Sequence, residues 1–180
     1  KKKTFNIEGS GKRIVIFPSK LLYQGNIKSY KEIIEEVCKI SDRVVLKPHT
    51  RHMRLHSLKS SISRSGIKVI YHEFSSNELI DWCDFGIVWG SSIGIQLLLQ
   101  DKSLFYPKYA HKLETIYDKY LTESVTNSTP ELIEKIKTSK FPNYSESNKD
   151  NFINNIVYAG ESEKSPLKRY ADFFSEITDN

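Results

Sequence analysis

The chain has 180 residues, a hydrophobic fraction of 38% and a net charge of +5, enough for one large domain with a sizeable core. No apolar run reaches membrane-spanning length, and the only two cysteines, Cys38 and Cys83, lie inside apolar patterns, which reads as buried thiols rather than a disulfide or metal pair. The positive charge favours an anionic partner; the basic residues are scattered and form no nucleic-acid motif, so an anionic small molecule or an anionic membrane surface is expected and nucleic acid is not.

Residues 1–12 are polar and contain Gly9 and Gly11, which predicts a linker. No apolar segment follows Lys1-Lys2-Lys3, so a secretory signal is not expected and a cytoplasmic setting is. A strand following so abruptly implies that the chain is a piece of something longer. Arg13 to Phe17 (RIVIF) is that strand, apolar throughout and therefore buried on both faces. Pro18-Ser19-Lys20 ends it, and Asn26 or Ser29 caps a helix whose Tyr30, Ile33, Ile34, Val37 and Cys38 recur at helical spacing. Asp42 to Leu46 (DRVVL) predicts a second strand, stopped by Pro48 within Lys47-Pro48-His49-Thr50-Arg51. A helix over 53–64, closed by Gly66, leads to a third strand, Ile67 to Tyr71, with His72-Glu73-Phe74 at its carboxyl end.

The stretch from Ser76 to Tyr106 organises the rest. It reads as a short helix over 77–83, a buried strand Phe85 to Trp89, a Gly90-Ser91-Ser92 turn, a helix with Ile93, Ile95, Leu97, Leu98 and Leu99 on its packing face, and a strand Ser103 to Tyr106. The Ser-Ser turn can cap its own helix, or it can hold a phosphate on hydroxyls and unpaired backbone N–H groups. Beyond it, residues 108–120 predict a loop with one helical turn and Glu123 to Thr126 a short edge strand. Thr129 is expected to cap a helix with Pro130 at its first position, 143–151 forms a polar link, and helices follow over 152–157 and 166–177.

Strands alternating with helices at this spacing predict βαβ units, hence an α/β fold with a parallel sheet, and ligands in such sheets bind outside the carboxyl ends of the strands. Three polar loops fall there: Ser19-Lys20, Lys47 to Arg51, and Gly90 to Ser92. His49, behind a proline and between cations, is the leading site candidate, with an ordinary surface histidine as the alternative. Lys47 and Arg51 can neutralise phosphate charge or remain solvated cations. Glu73 and Phe74 stand where this architecture recognises a base, although Phe74 can equally serve packing. Asp84 reads as a structural turn residue. His52, His56, His72 and His111 lack metal-ligand spacing, so no metal is expected.

Three segments resemble the C-terminal, nucleotide-sugar-binding half of GT-B glycosyltransferases, in particular the bacterial surface-polysaccharide enzymes that include Kdo transferases and CDP-glycerol glycerophosphotransferases. VVLKPHTR, from Val44 to Arg51, is similar to their KPHP segment. SNELIDWCDFGIVWGSSIGIQLLLQDKSLFYP is similar to their sequence of helix, aspartate, strand, paired serines, helix and turn into the next strand. Tyr158-Ala159-Gly160 through Ser165-Pro166-Leu167-Lys168-Arg169-Tyr170 resembles their C-terminal tail. Two positions depart from the pattern. Gln96 is the nearest polar group where many such enzymes place a ribose-binding glutamate, and Thr50 replaces the second proline.

The resemblance implies a Rossmann-like domain over residues 13–180, one half of a GT-B fold, with a nucleotide-sugar donor as substrate, CMP-linked donors among the candidates, and no separate cofactor. It implies that His49 contacts the donor phosphate and is the candidate for catalysis, that Gly90, Ser91 and Ser92 cradle the same phosphate, and that Ser19, Lys20, Lys47, Arg51, Glu73, Phe74 and Gln96 complete donor binding. The partners it implies are a glycan acceptor, an N-terminal Rossmann-like domain outside this chain, and an anionic membrane at the inner face of the plasma membrane. Glycerol phosphate transfer from CDP-glycerol, a GT-B-type epimerase and a noncatalytic nucleotide-binding scaffold are the competing readings.

Overall fold

A computed structural model describes residues 4–18, 25–49 and 55–157, and within them the alternating pattern resolves into strands and helices in the expected order. The strands are β1 (Ile14–Phe17), β2 (Val44–Leu46), β3 (Lys68–Val69), β4 (Phe85–Val88), β5 (Ser103–Pro107) and β6 (Val125–Thr126). The helices are α1 (Ile27–Cys38), α2 (Lys59–Ser65), α3 (Ser76–Trp82), α4 (Ile93–Leu99), α5 (Ile116–Tyr120), α6 (Thr129–Lys137) and α7 (Glu146–Val157). Every neighbouring strand pair is parallel, in the spatial order β3-β2-β1-β4-β5-β6. The protein is therefore α/β and Rossmann-like. The chain divides into two compact units, Lys1–Asn143 and Tyr144–Asn180, and the whole sheet lies in the first.

Alternation along the strands sorts the core into two layers. Ile14, Ile16, Val44, Leu46, Phe85, Ile87 and Phe105 join Tyr30, Ile33, Ile34 and Val37 of α1 and Leu132 and Ile136 of α6 in one apolar cluster. Gly86 points the other way, and a Cβ there would stand 2.4 Å from Leu97 Cδ1 of α4. Glycine at that position lets α4 lie directly on the second face of the sheet. The two cysteines are not paired, Cys83 buried as expected and Cys38 only half-buried; burial pushes the Cys38 thiol up to about 11 and the Cys83 thiol up to about 12, which leaves them poor nucleophiles.

Residues 4–12 form no regular element, yet they are stitched to the domain. Phe5 is buried, edge-on to Phe74 and Trp82 at 4.9 Å each. Asp42 N–H donates to Ser10 O, Arg43 donates to Gly11 O, and Ser41 Oγ donates to Lys12 O. The backbone N–H groups of Asp42 and Arg43 go to Ser10 O and to Ser41 Oγ rather than to a neighbouring strand, and β2 starts at Val44 rather than at Asp42.

Other elements differ from the sequence expectation in informative ways. The helix expected over 53–64 is, where described, a 3-10 turn at His56–Leu58 followed by α2, whose KSSISRS sequence is weak in helix formers. Gly66 closes it at φ +67°, as expected. Ser128, not Thr129, caps α6: its Oγ accepts from Glu131 N–H at 3.2 Å, and Glu131 in turn receives Asn127 N–H. The polar link expected over 143–151 is partly helical, because α7 already starts at Glu146 and Ser145 Oγ accepts from Asn148 N–H. The helix expected over 166–177 and the tail segment 158–170 lie outside the described residues.

Asp84 is structural, at the amino end of the seam between β1 and β4. Its Oδ2 accepts from Arg13 N–H at 2.8 Å, and its Oδ1 accepts from Arg13 Nε at 3.0 Å and Nη2 at 2.6 Å. Burial pushes this carboxyl up, but the hydrogen bonds and charge of Arg13 outweigh it and hold the group below the usual carboxylate range. A lowered folded-state value means the contribution is complete above the unfolded value of about 3.9 and is lost as pH falls through the folded value. Asp84→Asn should therefore cost about 1–2 kcal/mol near neutrality, converging with the wild type once the pH has fallen below the folded-state value. Urea unfolding across pH checks this, and an equal deficit at both extremes would refute the charge-based account.

Candidate functional site

The strand order reverses between β1 and β4, and a parallel sheet opens a crevice at the carboxyl ends of the strands where that happens. A cleft of about 190 Å³ lies there. Phe17 and Pro18 bring in the end of β1, Lys47, Pro48 and His49 the end of β2, and Ser91, Ser92, Ile93 and Gln96 the turn and helix after β4; Ser76 comes from the start of α3. No described lining residue is a carboxylate; the polar groups are an ammonium, an imidazole, three hydroxyls and an amide. That set donates hydrogen bonds and tolerates negative charge, which suits an anion.

Local chemistry explains each wall. Pro48 ends β2 and turns the half-buried His49 out of the sheet and into the cleft. After Trp89, Gly90 takes φ +62°, a conformation that favours glycine, and a Cβ there would meet His111 Nε2 at 3.1 Å. Tyr117 Oη then donates to Ser91 O at 2.5 Å, pinning the turn from the side of α5. Ser91 Oγ accepts from Ile93 N–H at 3.5 Å, a long contact, and Ser92 makes no side-chain cap to α4. The paired serines are thus not consumed in capping their own helix. With seven residues, α4 is too short for its dipole to dominate the site.

The remaining candidates separate into three groups. Lys47 lines the cleft but is buried, and its Nζ donates to Tyr71 O at 2.5 Å and Phe74 O at 2.8 Å. Burial lowers its pKa, with Glu73 and Glu78 opposing. Glu73 and Phe74 are absent from the cleft lining. Glu73 Oε2 accepts from Tyr71 N–H and His72 N–H at 3.0 and 3.1 Å, and backbone N–H groups, its own first, hold its carboxyl below the usual range. Phe74 packs edge-on against Phe5, the packing alternative for that ring. Ser19, Lys20 and Arg51 lie outside the described residues.

Sequence reasoning missed Ser76. The signal was present: Ser75-x-x-Glu78 is a capping box, with Ser75 Oγ accepting from Glu78 N–H at 3.2 Å and Glu78 accepting from Ser75 N–H at 2.8 Å. A helix starting there, one short turn after β3, puts its first residue at the carboxyl rim. Among the described residues no group of three or more His, Cys, Asp or Glu side chains is arranged to hold a metal, and no helix is long and apolar enough to cross a membrane. No protein-family model matches the chain, and no curated protein matches it significantly.

Proposed function

We propose that this chain is the donor-binding half of a metal-independent GT-B glycosyltransferase, which moves a sugar from an activated nucleotide donor to a bacterial surface glycan such as capsule or lipopolysaccharide. The reading is carried by one observation: His49, Ser91, Ser92 and Gln96 meet in a single cleft at the reversal of strand order, with the Lys47 ammonium in its lining. Transfer of a glycosyl group leaves a nucleotide phosphate on which negative charge develops, and fixed N–H and O–H donors stabilise it. In this reading His49 and the two serines address that phosphate, and Gln96 hydrogen-bonds a donor hydroxyl. The acceptor glycan and its general base come from a partner Rossmann-like domain, working at the inner face of an anionic membrane.

Calorimetric titration with CMP-, CDP- and UDP-linked donors tests the reading, beginning with CMP-Kdo. Binding of CMP-Kdo alone supports Kdo transfer. Binding of CDP-glycerol alone moves the assignment to glycerol phosphate transfer, and binding of none of them overturns the enzymatic reading in favour of a scaffold.

A further inference from the structure

The turn joining β3 to α3 has little backbone pairing of its own. β3 contains only Lys68 and Val69, and the ladder ends where Ile70 N–H donates to Leu46 O at 2.9 Å. From Tyr71 to Phe74 the main chain is held by side chains instead. Lys47 Nζ reaches across from the end of β2 to the carbonyls of Tyr71 and Phe74, while Glu73 takes the N–H groups of Tyr71 and His72. One residue later Ser75 caps α3, and the next, Ser76, forms part of the cleft.

We infer that Lys47 is a positioning residue: by bridging the end of β2 to the two carbonyls of this turn, it sets where Ser76 stands in the cleft. The functional consequence rests on the donor-binding reading above. An ammonium has three donors, and two of them are spent on carbonyls three residues apart in sequence, Tyr71 and Phe74. A cation kept only to neutralise phosphate would sit on a solvated stem, whereas Lys47 is 6% exposed and anchored at both oxygens. The distinction makes arginine a poor substitute. Its planar fork suits the paired oxygens of one carboxylate or phosphate, not two carbonyls approached from separate directions in a buried space.

Hydrogen exchange and calorimetry on the wild-type chain, Lys47→Met and Lys47→Arg test this. In Lys47→Met the amides of Tyr71, His72 and Ser75 should exchange at least tenfold faster, with those of β1 and β4 unchanged. Affinity for the nucleotide donor should fall about tenfold, and Lys47→Arg should restore neither the protection nor the affinity. Unchanged exchange in the turn overturns the inference, as does wild-type affinity in Lys47→Arg, since charge alone would then suffice. If Lys47→Met does not fold, Lys47→Arg decides by the same two readouts. Failure of the wild-type chain to bind any nucleotide donor would strike the donor-binding reading instead, while the exchange measurement still decides whether Lys47 holds the turn.

Discussion

Trp89→Ala is expected to remove about 3–5 kcal/mol of stability, a large part of the roughly 5–15 kcal/mol that holds a domain folded. Trp89 follows β4 directly and is fully buried, and its ring stacks on Tyr30 of α1 with centroids 3.9 Å apart and planes 10° from parallel. It joins the central strand to the helix that covers it, so truncation leaves a cavity between two elements that cannot easily collapse together. Trp89→Phe keeps an aromatic face on Tyr30 and should lose less than half as much. It also removes an indole Nε1 that has no hydrogen-bond partner among the described residues. Urea unfolding followed by far-ultraviolet circular dichroism reads both variants. A loss below about 1 kcal/mol for Trp89→Ala would mean that the stack contributes little.

The second large effect concerns the cleft. His49→Ala, and separately the double variant Ser91→Ala/Ser92→Ala, should each weaken binding of a nucleotide donor about tenfold or more. The estimate follows from hydrogen bonds to a charged group, about 1.5–3 kcal/mol, with each 1.4 kcal/mol a factor of ten. Melting temperatures should stay close to wild type, because among the described residues Ser92 makes no side-chain cap to α4 and the Ser91 hydroxyl contact to Ile93 N–H is 3.5 Å long. Calorimetry and thermal unfolding on the same preparations separate the two quantities. Unaltered affinity in both variants removes these residues from the site; a marked loss of stability instead assigns the turns a folding role.

Where the chain repeats a simple physical rule, its sequence was readable. Continuous apolar runs such as IVIF and FGIV have no polar face to offer, and they became the buried central strands β1 and β4. The loops after β1, β2 and β4 were placed at the carboxyl rim by topology; Lys47, Pro48, His49, Ser91 and Ser92 do line one cleft, Gly90 does not, and Ser19 and Lys20 lie outside the described residues. Periodicity left the choice open where a side chain had two possible employers. Lys47 looks like a phosphate cation until the carbonyls of Tyr71 and Phe74, 24 and 27 residues away, come within reach. Phe74 looks like a base-stacking ring until Phe5, from a stretch expected to be a bare linker, packs against it. Ser128 and Thr129 compete for one cap, and Ser128 takes it because its Oγ reaches Glu131 N–H at 3.2 Å. Such outcomes depend on long-range partners or on one-residue choices, which periodicity does not encode.

Because the crevice between β1 and β4 is a product of strand order, no individual rim residue is needed to create it. The segments that surround it are accordingly replaceable parts on a fixed chassis, and in the donor-binding reading ligand preference can be redesigned at His49, Ser91 and Ser92 while Lys47, which holds the β3–α3 turn, and the sheet beneath stay untouched.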